Sequence, residues 1–129
     1  MNGLLLDTHV WSYTLQNDLA SLGRMSEVIA VSEAVFVSPV SLYEIGWKAS
    51  LGKWPAMGRF IPELDTYPAR QGFEFAQVSP AVMLKAASLD WSHRDPFDRM
   101  LASTAESLDF TLVTKDEALR SFLPDRTLW

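Results

Sequence analysis

The sequence predicts an α/β fold, a three-layer α/β/α sandwich with a central parallel sheet. Short apolar runs alternate with longer stretches in which apolar residues recur at helical spacing. Such alternation is typical of parallel strands that are joined by helices and covered by them on both faces. A chain of 129 residues has the usual length of one domain, so we expect a single domain over residues 1–129.

The predicted strands are the short apolar runs, bounded by polar or turn-forming residues. They lie at 4–6, 35–37, 73–78 and 110–113. The C-terminal stretch DRTLW, 125–129, predicts a further short strand at the edge of the sheet. In an open parallel sheet, ligands bind beyond the carboxyl ends of the strands, so chemistry is expected where each strand ends.

The predicted helices occupy most of the sequence between these strands. They lie at 9–15, 22–32, 41–52, 59–70, 80–89, 96–108 and 117–122. The helix at 96–108 has the clearest start, because Asp95 followed by Pro96 has the form of an N-cap and a proline at the first helical position. GKWPAMG, 52–58, contains Gly and Pro and is predicted to be a loop.

Composition excludes several classes of protein. Apolar residues make up 48% of the chain and charged residues 21%, which indicates a globular rather than a disordered protein. The absence of cysteine excludes disulfides and thiolate metal sites. Apolar runs are far shorter than the roughly 20 residues that cross a bilayer, and LLL is cut off by Asp7 with no cationic segment before it. We therefore expect a soluble cytoplasmic protein with neither a signal peptide nor a membrane partner.

The net charge of −5 argues against a broad basic surface for nucleic acid. A metal-dependent enzyme that acts on phosphodiesters escapes this objection, because its cations supply positive charge at the site itself.

Two acidic residues follow predicted strands. Asp7 comes directly after LLL, and Asp116 follows FTLV with only Thr114 and Lys115 between them. If these strands are parallel neighbours, both carboxylates emerge at one edge of the sheet. Taken singly, each has an ordinary explanation: Asp7 as a helix N-cap, Asp116 as a turn or first-turn residue.

Two of three further acids, Glu44 and Asp98, are harder to explain as surface residues or caps alone. Glu44 lies in an apolar helical row, although it could bend out to solvent or pair with Lys48. Capping explains Asp95 well. Asp98 shares its helical row with small and apolar residues that face the sheet, so it is expected to project toward the edge that receives Asp7.

A shared pocket for these acids would need a cation. Two carboxylates about 5 Å apart repel by roughly 3 kcal/mol at an effective dielectric constant of about 20, and local caps do not offset that repulsion. Oxygen ligands suit Mg²⁺ or Mn²⁺. Zinc is disfavoured, because cysteine is absent and the two histidines lack metal-ligand spacing.

Four stretches of this sequence, in order, resemble the PIN-domain family, and within it the VapC-type toxins of bacterial toxin–antitoxin pairs. They are LLLDTHVW, SPVSLYEIGWK, HRDPFDRMLASTA and LVTKDEAL, which together span nearly the whole chain. The resemblance implies the three-layer fold, a metal-dependent endoribonuclease that uses metal-activated water, and a cognate antitoxin that blocks the site. A homodimer is common in that family.

The resemblance also implies a set of site residues. By motif position the family's catalytic and metal-binding acids fall on Asp7, Glu44, Asp98 and Asp116. Asp95 matches an additional acid of the subgroup with the DPFDR form. Thr114 and Thr8 match small hydroxyl residues beside the last and first acids, where they would support the carboxylates. Asp7, Asp98 and Glu44 would hold the principal cation, and Asp116 with Asp95 would help hold a second.

Other candidates have competing interpretations. His9 and His93 could meet phosphate, but packing or surface roles are common for histidines. Basic residues near the acids could grip the RNA backbone, or be solvated charges or ion-pair partners of the acids; they are Arg94, Arg99 and Lys115. Four aromatic residues could serve the antitoxin interface or pack in the core; they are Trp11, Tyr43, Trp47 and Trp54.

Two alternative functions follow from the same residues. In the first, the fold is a non-catalytic protein-binding module whose acids only cap helices. The second is a phospho-accepting receiver domain, which needs paired acids after the first strand and an acceptor Asp after the third. Thr8 follows Asp7, and Val78 leads to Ser79 and Pro80, so the sequence disfavours the receiver domain.

Overall fold

All five strands run parallel in one sheet. The computed structural model describes all 129 residues. The strands are β1 (Leu4–Leu6), β2 (Val35–Val37), β3 (Glu74–Phe75), β4 (Thr111–Val113) and β5 (Thr127–Leu128). Their order across the sheet is β3-β2-β1-β4-β5, with β1 hydrogen-bonded to both β2 and β4. The predicted parallel sheet is confirmed, and so is the neighbour relationship between the strands that precede Asp7 and Asp116.

Eight α-helices and one 3₁₀ segment connect the strands. The helices are α1 (Thr8–Leu15), α2 (Leu19–Leu22), α3 (Met25–Val31), α4 (Pro39–Ser50), α5 (Tyr67–Gln71), α6 (Pro80–Ala87), α7 (Pro96–Leu108) and α8 (Glu117–Phe122). The 3₁₀ segment, Pro55–Thr66, lies between α4 and α5. None of the helices combines the length and apolar character that crossing a membrane requires.

Alternate residues of the strands pack into two separate cores. Leu6 and Val113 face a core that contains Trp11 of α1 and Ile45 of α4. Leu5 and Leu112 point the other way, into a core formed with α7 and α8. Because successive side chains of a strand point to opposite faces, helices cover both sides of the sheet and the three-layer architecture is confirmed.

The boundaries predicted for helices α7 and α8 are confirmed, and α1, α4 and α6 lie within two residues of prediction. Helix α4 begins earlier than predicted because Ser38 caps it, accepting a hydrogen bond from the backbone N–H of Val40, and Pro39 occupies the first turn. The C-terminal edge strand is confirmed as β5, which pairs with β4.

Two helix predictions were wrong. The helix predicted at 22–32 is instead α2 and α3, separated at Gly23, whose φ of 55° ends the first of them. The helix predicted at 59–70 is the 3₁₀ segment followed by α5. Pro62 and the non-helical Glu63 interrupt that stretch, and Pro68 starts α5. The 3₁₀ segment also begins at Pro55, inside the stretch 52–58 that was predicted to be a loop.

The strand predicted at 73–78 was too long. Strand β3 contains only Glu74–Phe75, and it pairs with β2 alone. Its partner ends at Val37, where Ser38 turns the chain into α4, so residues beyond Ala76 have no neighbouring strand to bond with.

Candidate active site

The ends of β1 and β4 meet at the edge of the sheet where the acids were predicted. Leu6 and Val113 are register partners, and the backbone N–H of Asp7 donates to the carbonyl of Val113 at 3.0 Å. The residues that follow each strand therefore start from adjacent positions. Asp7 then caps α1, and Asp116 caps α8.

Asp7 is the buried centre of this edge. Only 6% of its surface is exposed, and its carboxylate accepts hydrogen bonds from the His9 backbone N–H at 3.3 Å and from Thr114. Burial raises the pKa of the Asp7 carboxyl, and the negative charge of Glu44 raises it further, while the Thr114 hydrogen bond and the His9 charge oppose the shift. Asp7 is therefore a carboxylate whose ionised form lacks full compensation within the protein.

Thr114 forms a hydrogen bond with Asp7, which is the contact that its predicted supporting role requires. The hydroxyl group is buried, donates to Asp7 Oδ2 at 2.5 Å and accepts from the Asp116 backbone N–H at 3.0 Å. Thr8 is placed differently: its buried hydroxyl exchanges a 2.7 Å hydrogen bond with Ser41 of α4. Thr8 thus connects α1 to α4 and contacts none of the predicted acids through its hydroxyl.

Asp98 and Asp95 lie together at the start of α7. Asp95 Oδ1 caps the helix, accepting from the backbone N–H groups of Phe97 at 2.8 Å and Asp98 at 3.2 Å. Asp98 caps nothing, and its Oδ2 lies 2.7 Å from Nε2 of His93. Leu101, which follows it in the helical row, is fully buried against the sheet, as expected.

The pKa of Asp98 is raised, in part by the negative charges around it. This pKa is raised from 3.8 to about 6, chiefly by burial and further by the negative charges of Asp95, Asp7 and Asp116, while the contact with His93 opposes the increase. These carboxylates therefore lie close enough to repel one another.

Glu44 is buried beside Lys48. The residue is 5% exposed, and Lys48 Nζ donates to Glu44 Oε2 at 2.5 Å. The sequence left open whether Glu44 bends to solvent, pairs with Lys48 or joins the site. It pairs with Lys48 and stays buried, and its charge still reaches Asp7.

The acids are gathered to different degrees. Ligand atoms of His93, Asp95 and Asp98 lie within 4.8 Å of one another, a spacing that one cation can bridge. No comparable group of three includes Asp7, Glu44 or Asp116. Asp116 is exposed, and its Oδ1 caps α8 by accepting from the backbone N–H groups of Ala118 and Leu119. The charges of Asp7 and Asp116 act on Asp98, and Thr114 joins Asp7 to Asp116 by hydrogen bonds. Glu44 acts through its charge on Asp7.

His93 is the residue of this edge that sequence reasoning ranked too low. The signal for it was the spacing His93-x-Asp95-x-x-Asp98, which sets an imidazole just before a capped helix that carries an acid in its first turn. His9, the other histidine, is exposed and stacks on Trp54 with ring centroids 4.7 Å apart.

The flanking basic residues divide into engaged and exposed groups. Arg99 is half-buried and does not pair with the acids: its guanidinium donates to backbone carbonyls around the turn that precedes α7. Arg99 is therefore engaged within the protein, and contact with the RNA backbone stays a prediction for this residue. Lys115 lies over the ring of Tyr13 at 4.9 Å, and Arg94 is exposed.

The four aromatic candidates separate in the same way. Trp11 is fully buried, and its Nε1 donates to Gln71 Oε1 at 2.9 Å, so the suggestion that it serves a partner interface was wrong. Trp54 is half-buried against His9. Tyr43 and Trp47 are 66% and 47% exposed, and they line an apolar groove of about 640 Å³ together with Phe97.

The donor set of this edge fits a hard divalent cation. It consists of carboxylate oxygens, and two of its carboxyl groups, Asp7 and Asp98, have pKa values raised by burial and by neighbouring negative charge. A bound cation would reverse both effects, because it stabilises the ionised form of each group. Mg²⁺ and Mn²⁺ prefer such oxygen ligands.

Comparison with known proteins agrees with the fold and the motifs. Residues 4–122 match the family described as PIN domain. The chain is also 31% identical, over 136 aligned residues, to Ribonuclease VapC22 of Mycobacterium tuberculosis, and the alignment covers 100% of both chains. The family match spans all eight helices and every strand except β5. It includes the edge of the sheet that carries the acids. The chain therefore belongs to the PIN-domain family and, within it, to the VapC-type proteins.

Proposed function

We propose that this protein is a Mg²⁺- or Mn²⁺-dependent endoribonuclease, the toxin component of a toxin–antitoxin module. The observation that carries the proposal is the pair formed by the buried carboxyl group of Asp7 and the partly buried one of Asp98, whose pKa values are both raised at one edge of the sheet. Carboxylates that repel one another lower the stability of the fold, so stability alone does not explain why they lie together there. The full-length similarity to a protein named as a ribonuclease supports the reaction class.

The site residues divide into cation holders and supporting groups. Asp7, Asp98 and Glu44 would hold the principal cation, and Asp116 with Asp95 would help hold a second. When bound, the cation lowers the pKa of water and neutralises charge on the phosphodiester. Thr114 keeps Asp7 Oδ2 occupied, which orients the carboxylate, and Lys48 neutralises Glu44 while no cation is present. No side chain has to act as a nucleophile.

The non-catalytic alternative has support from the caps. Asp7, Asp95 and Asp116 each accept a hydrogen bond from the first turn of a helix, as that alternative requires. It leaves Asp98 and Glu44 unexplained, because neither caps a helix and both are removed from solvent to a large extent. Capping also leaves one oxygen of Asp95 and of Asp116 available to a cation, since both residues cap through Oδ1 alone.

Divalent-ion dependence separates the two functions. EDTA-treated protein should gain thermal stability when Mg²⁺ or Mn²⁺ is added, and it should cleave single-stranded RNA only in their presence. Asp7→Asn should abolish both the stability gain and the cleavage, although the amide still caps α1. Purifying this variant in parallel also controls for contaminating nucleases.

Asp18→Asn is the matched control, because Asp18 caps α2 by accepting from the Ser21 backbone N–H but lies outside the acidic edge. It should respond to Mn²⁺ as the wild type does. Wild-type protein that gains no stability from either ion and cleaves no RNA would establish the non-catalytic alternative.

The partners follow from the same proposal. RNA is the substrate, an antitoxin encoded beside this chain binds it and blocks the site, and the protein forms a homodimer in the cytoplasm. Tyr43 and Trp47 supply exposed aromatic area of the kind that protein interfaces favour. A small protein from the adjacent reading frame should co-purify with this chain. Expression of the chain alone should be toxic, and Asp98→Ala should relieve the toxicity.

A further inference from the structure

Arg99 gathers backbone carbonyls from the turn between α6 and α7. Its three nitrogens donate to the carbonyl oxygens of Ala86 at 2.9 Å, Ala87 at 3.4 Å, Leu89 at 2.8 Å, Trp91 at 2.7 Å and His93 at 3.0 Å. Few other hydrogen bonds order this turn: the backbone N–H of Ser88 donates to Lys85 and that of Trp91 to Leu89. A planar guanidinium with five N–H donors can serve this set, whereas an ammonium on one atom cannot. Arg99 therefore determines the path of the turn.

The turn carries His93 to the acidic edge. The imidazole stacks on Trp91 with centroids 4.7 Å apart, and Trp91 stacks on Phe122 of α8 at 4.3 Å. The ring is thus held at its backbone by Arg99 and on its face by Trp91. In this position its Nε2 lies 2.7 Å from Asp98 Oδ2. With Asp98 ionised, the imidazole N–H is the donor of this hydrogen bond.

Asp98 and Arg99 are adjacent residues of α7, and both contribute to the hydrogen bond between His93 and Asp98. Asp98 projects to the acidic edge, and Arg99 projects to the turn that returns a hydrogen-bond donor to Asp98. Oδ2 of Asp98 is occupied by His93, and Oδ1 makes no hydrogen bond within the protein. The arrangement leaves Oδ1 as the oxygen that can face a cation. Outer groups that orient a ligand in this way commonly change metal affinity by about 10- to 100-fold when they are removed.

We infer that Arg99 and His93 are positioning residues of the acidic edge: Arg99 fixes the turn, and His93 orients the Asp98 carboxylate for a divalent cation. The inference rests on the proposed function, because it assigns a task to residues around its cation. It differs from that function in its prediction, which concerns the affinity for Mn²⁺ itself rather than RNA cleavage.

The test measures Mn²⁺ affinity by calorimetry on the EDTA-treated full-length protein, with kcat and KM for RNA cleavage as a second readout. His93→Ala should weaken Mn²⁺ binding by about 10-fold or more. His93→Gln should restore most of the affinity, since its amide nitrogen can donate from a position close to that of Nε2. His93→Ala should change kcat more than KM, because the substrate contacts are left in place, and His93→Gln should recover most of the lost kcat.

Arg99 is tested by its dependence on His93. Arg99→Lys should weaken Mn²⁺ binding as His93→Ala does, and the double variant should be no weaker than His93→Ala alone, because both changes remove the same hydrogen bond. Arg126→Lys is the matched control. Arg126 also donates to backbone carbonyls, those of Ala105 and Phe110, but at the far end of α7. The Arg126→Lys variant should be less stable than the wild type and should keep wild-type Mn²⁺ affinity.

Either of two results for Arg99 would overturn the inference: wild-type Mn²⁺ affinity in Arg99→Lys, or additive losses of affinity in the double variant. A His93→Gln variant that binds Mn²⁺ as weakly as His93→Ala would also overturn it, because the imidazole itself would then be a cation ligand. If Arg99→Lys does not fold, ring relaxation measured by NMR on the wild type decides the question. The His93 ring should be rigid, and a His93 ring as mobile as an exposed side chain would contradict the inference. A wild type that binds Mn²⁺ with these dependences but cleaves no RNA would contradict only the proposed function.

Discussion

The hydroxyl group of Thr114 donates a 2.5 Å hydrogen bond to Oδ2 of Asp7, joining residues 107 positions apart in the sequence. Thr114 Oγ1 also accepts a hydrogen bond from the backbone N–H of Asp116 at 3.0 Å. One buried hydroxyl group therefore connects the first and last acids of the candidate site, and it does so where β1 and β4 end side by side.

Thr114→Val tests this connection, since valine has nearly the same shape and no donor. Loss of a hydrogen bond to a buried carboxylate should lower the unfolding free energy at pH 7 by about 1.5–3 kcal/mol. It should also raise the pKa of Asp7 further, because the Thr114 hydrogen bond opposes the effect of burial. Mn²⁺ binding should weaken. Urea unfolding and calorimetry measure the two effects.

Thr104→Val is the control for this substitution. Thr104 is also buried, but its hydroxyl donates to the carbonyl of Met100 within α7. It should leave the affinity for Mn²⁺ unchanged. Equal Mn²⁺ affinities in wild type and Thr114→Val would show that Thr114 has only a structural role.

The raised pKa of Asp98 predicts how the stability of the metal-free protein depends on pH. The pKa of Asp98 is about 6 in the folded protein, against 3.8 for a freely solvated aspartate, so the folded state binds the proton more tightly than the unfolded state. The contribution of this group to stability is therefore greatest below about pH 4, falls as pH rises through about 6, and is constant above that. The total change is at most about 3 kcal/mol, because the carboxyl group is only partly buried and solvent screens part of the effect.

Asp98→Asn isolates this contribution, because the amide has the same size and does not titrate. At pH 7 in EDTA the variant should be more stable than the wild type by up to about 3 kcal/mol, and near pH 4 the difference should vanish. Saturating Mn²⁺ should reverse the order at pH 7, because only the wild type binds the ion. Urea midpoints measured across this pH range give the result, and parallel profiles for the two proteins would contradict it.

Lys48 occupies the position of a counter-ion for Glu44, and a bound cation would compete with it. Lys48→Met should lower the stability of the metal-free protein, because it leaves a buried carboxylate without a partner. The same change should strengthen Mn²⁺ binding, because Glu44 is then available to the cation. Melting in EDTA and calorimetric titration with Mn²⁺ measure the two opposite effects.

Lys85→Met is the comparison for Lys48→Met. Lys85 makes a more exposed ion pair with Glu106, at 3.9 Å, and such pairs contribute little to stability. Lys85→Met should change neither the stability of the metal-free protein nor the affinity for Mn²⁺. Weaker Mn²⁺ binding in Lys48→Met would instead show that Lys48 helps to shape the site.

Much of the architecture could be predicted because local signals and tertiary packing agree. LLL and VFV are buried on both faces of the sheet, so their apolar runs match β1 and β2 without alternation. Asp95 and Pro96 mark the start of α7 for a local reason, the cap. The meeting of Asp7 with Asp116 could be predicted because residues that follow neighbouring parallel strands share an edge.

The errors have equally specific causes. The stretch at 59–70 has helical spacing, but Pro62 and the turn at Glu63 divide it. The contribution of His93 depends on the path of a turn that Arg99 sets through backbone carbonyls. Every residue has a carbonyl group, so a sequence pattern does not reveal which ones an arginine will gather.

The two possible roles of Asp95, helix cap and cation ligand, can be separated by one substitution. Asp95→Ser keeps an oxygen able to accept from the α7 backbone, and serine caps helices about as well as aspartate, so stability should change by less than about 0.5 kcal/mol. The substitution removes a carboxylate whose oxygen lies within 4.8 Å of ligand atoms of His93 and Asp98. Mn²⁺ binding should therefore weaken, and the pKa of Asp98 should fall because one repelling charge is gone.

Asp18→Ser provides the reference for this experiment. Asp18 caps α2 through the backbone N–H of Ser21, so the same exchange of cap is made away from the acidic edge. Calorimetry with Mn²⁺ should show wild-type affinity for Asp18→Ser and reduced affinity for Asp95→Ser. Equal affinities in both variants would assign Asp95 to capping alone and leave Asp7, Glu44, Asp98 and Asp116 as the acids that bind the cation.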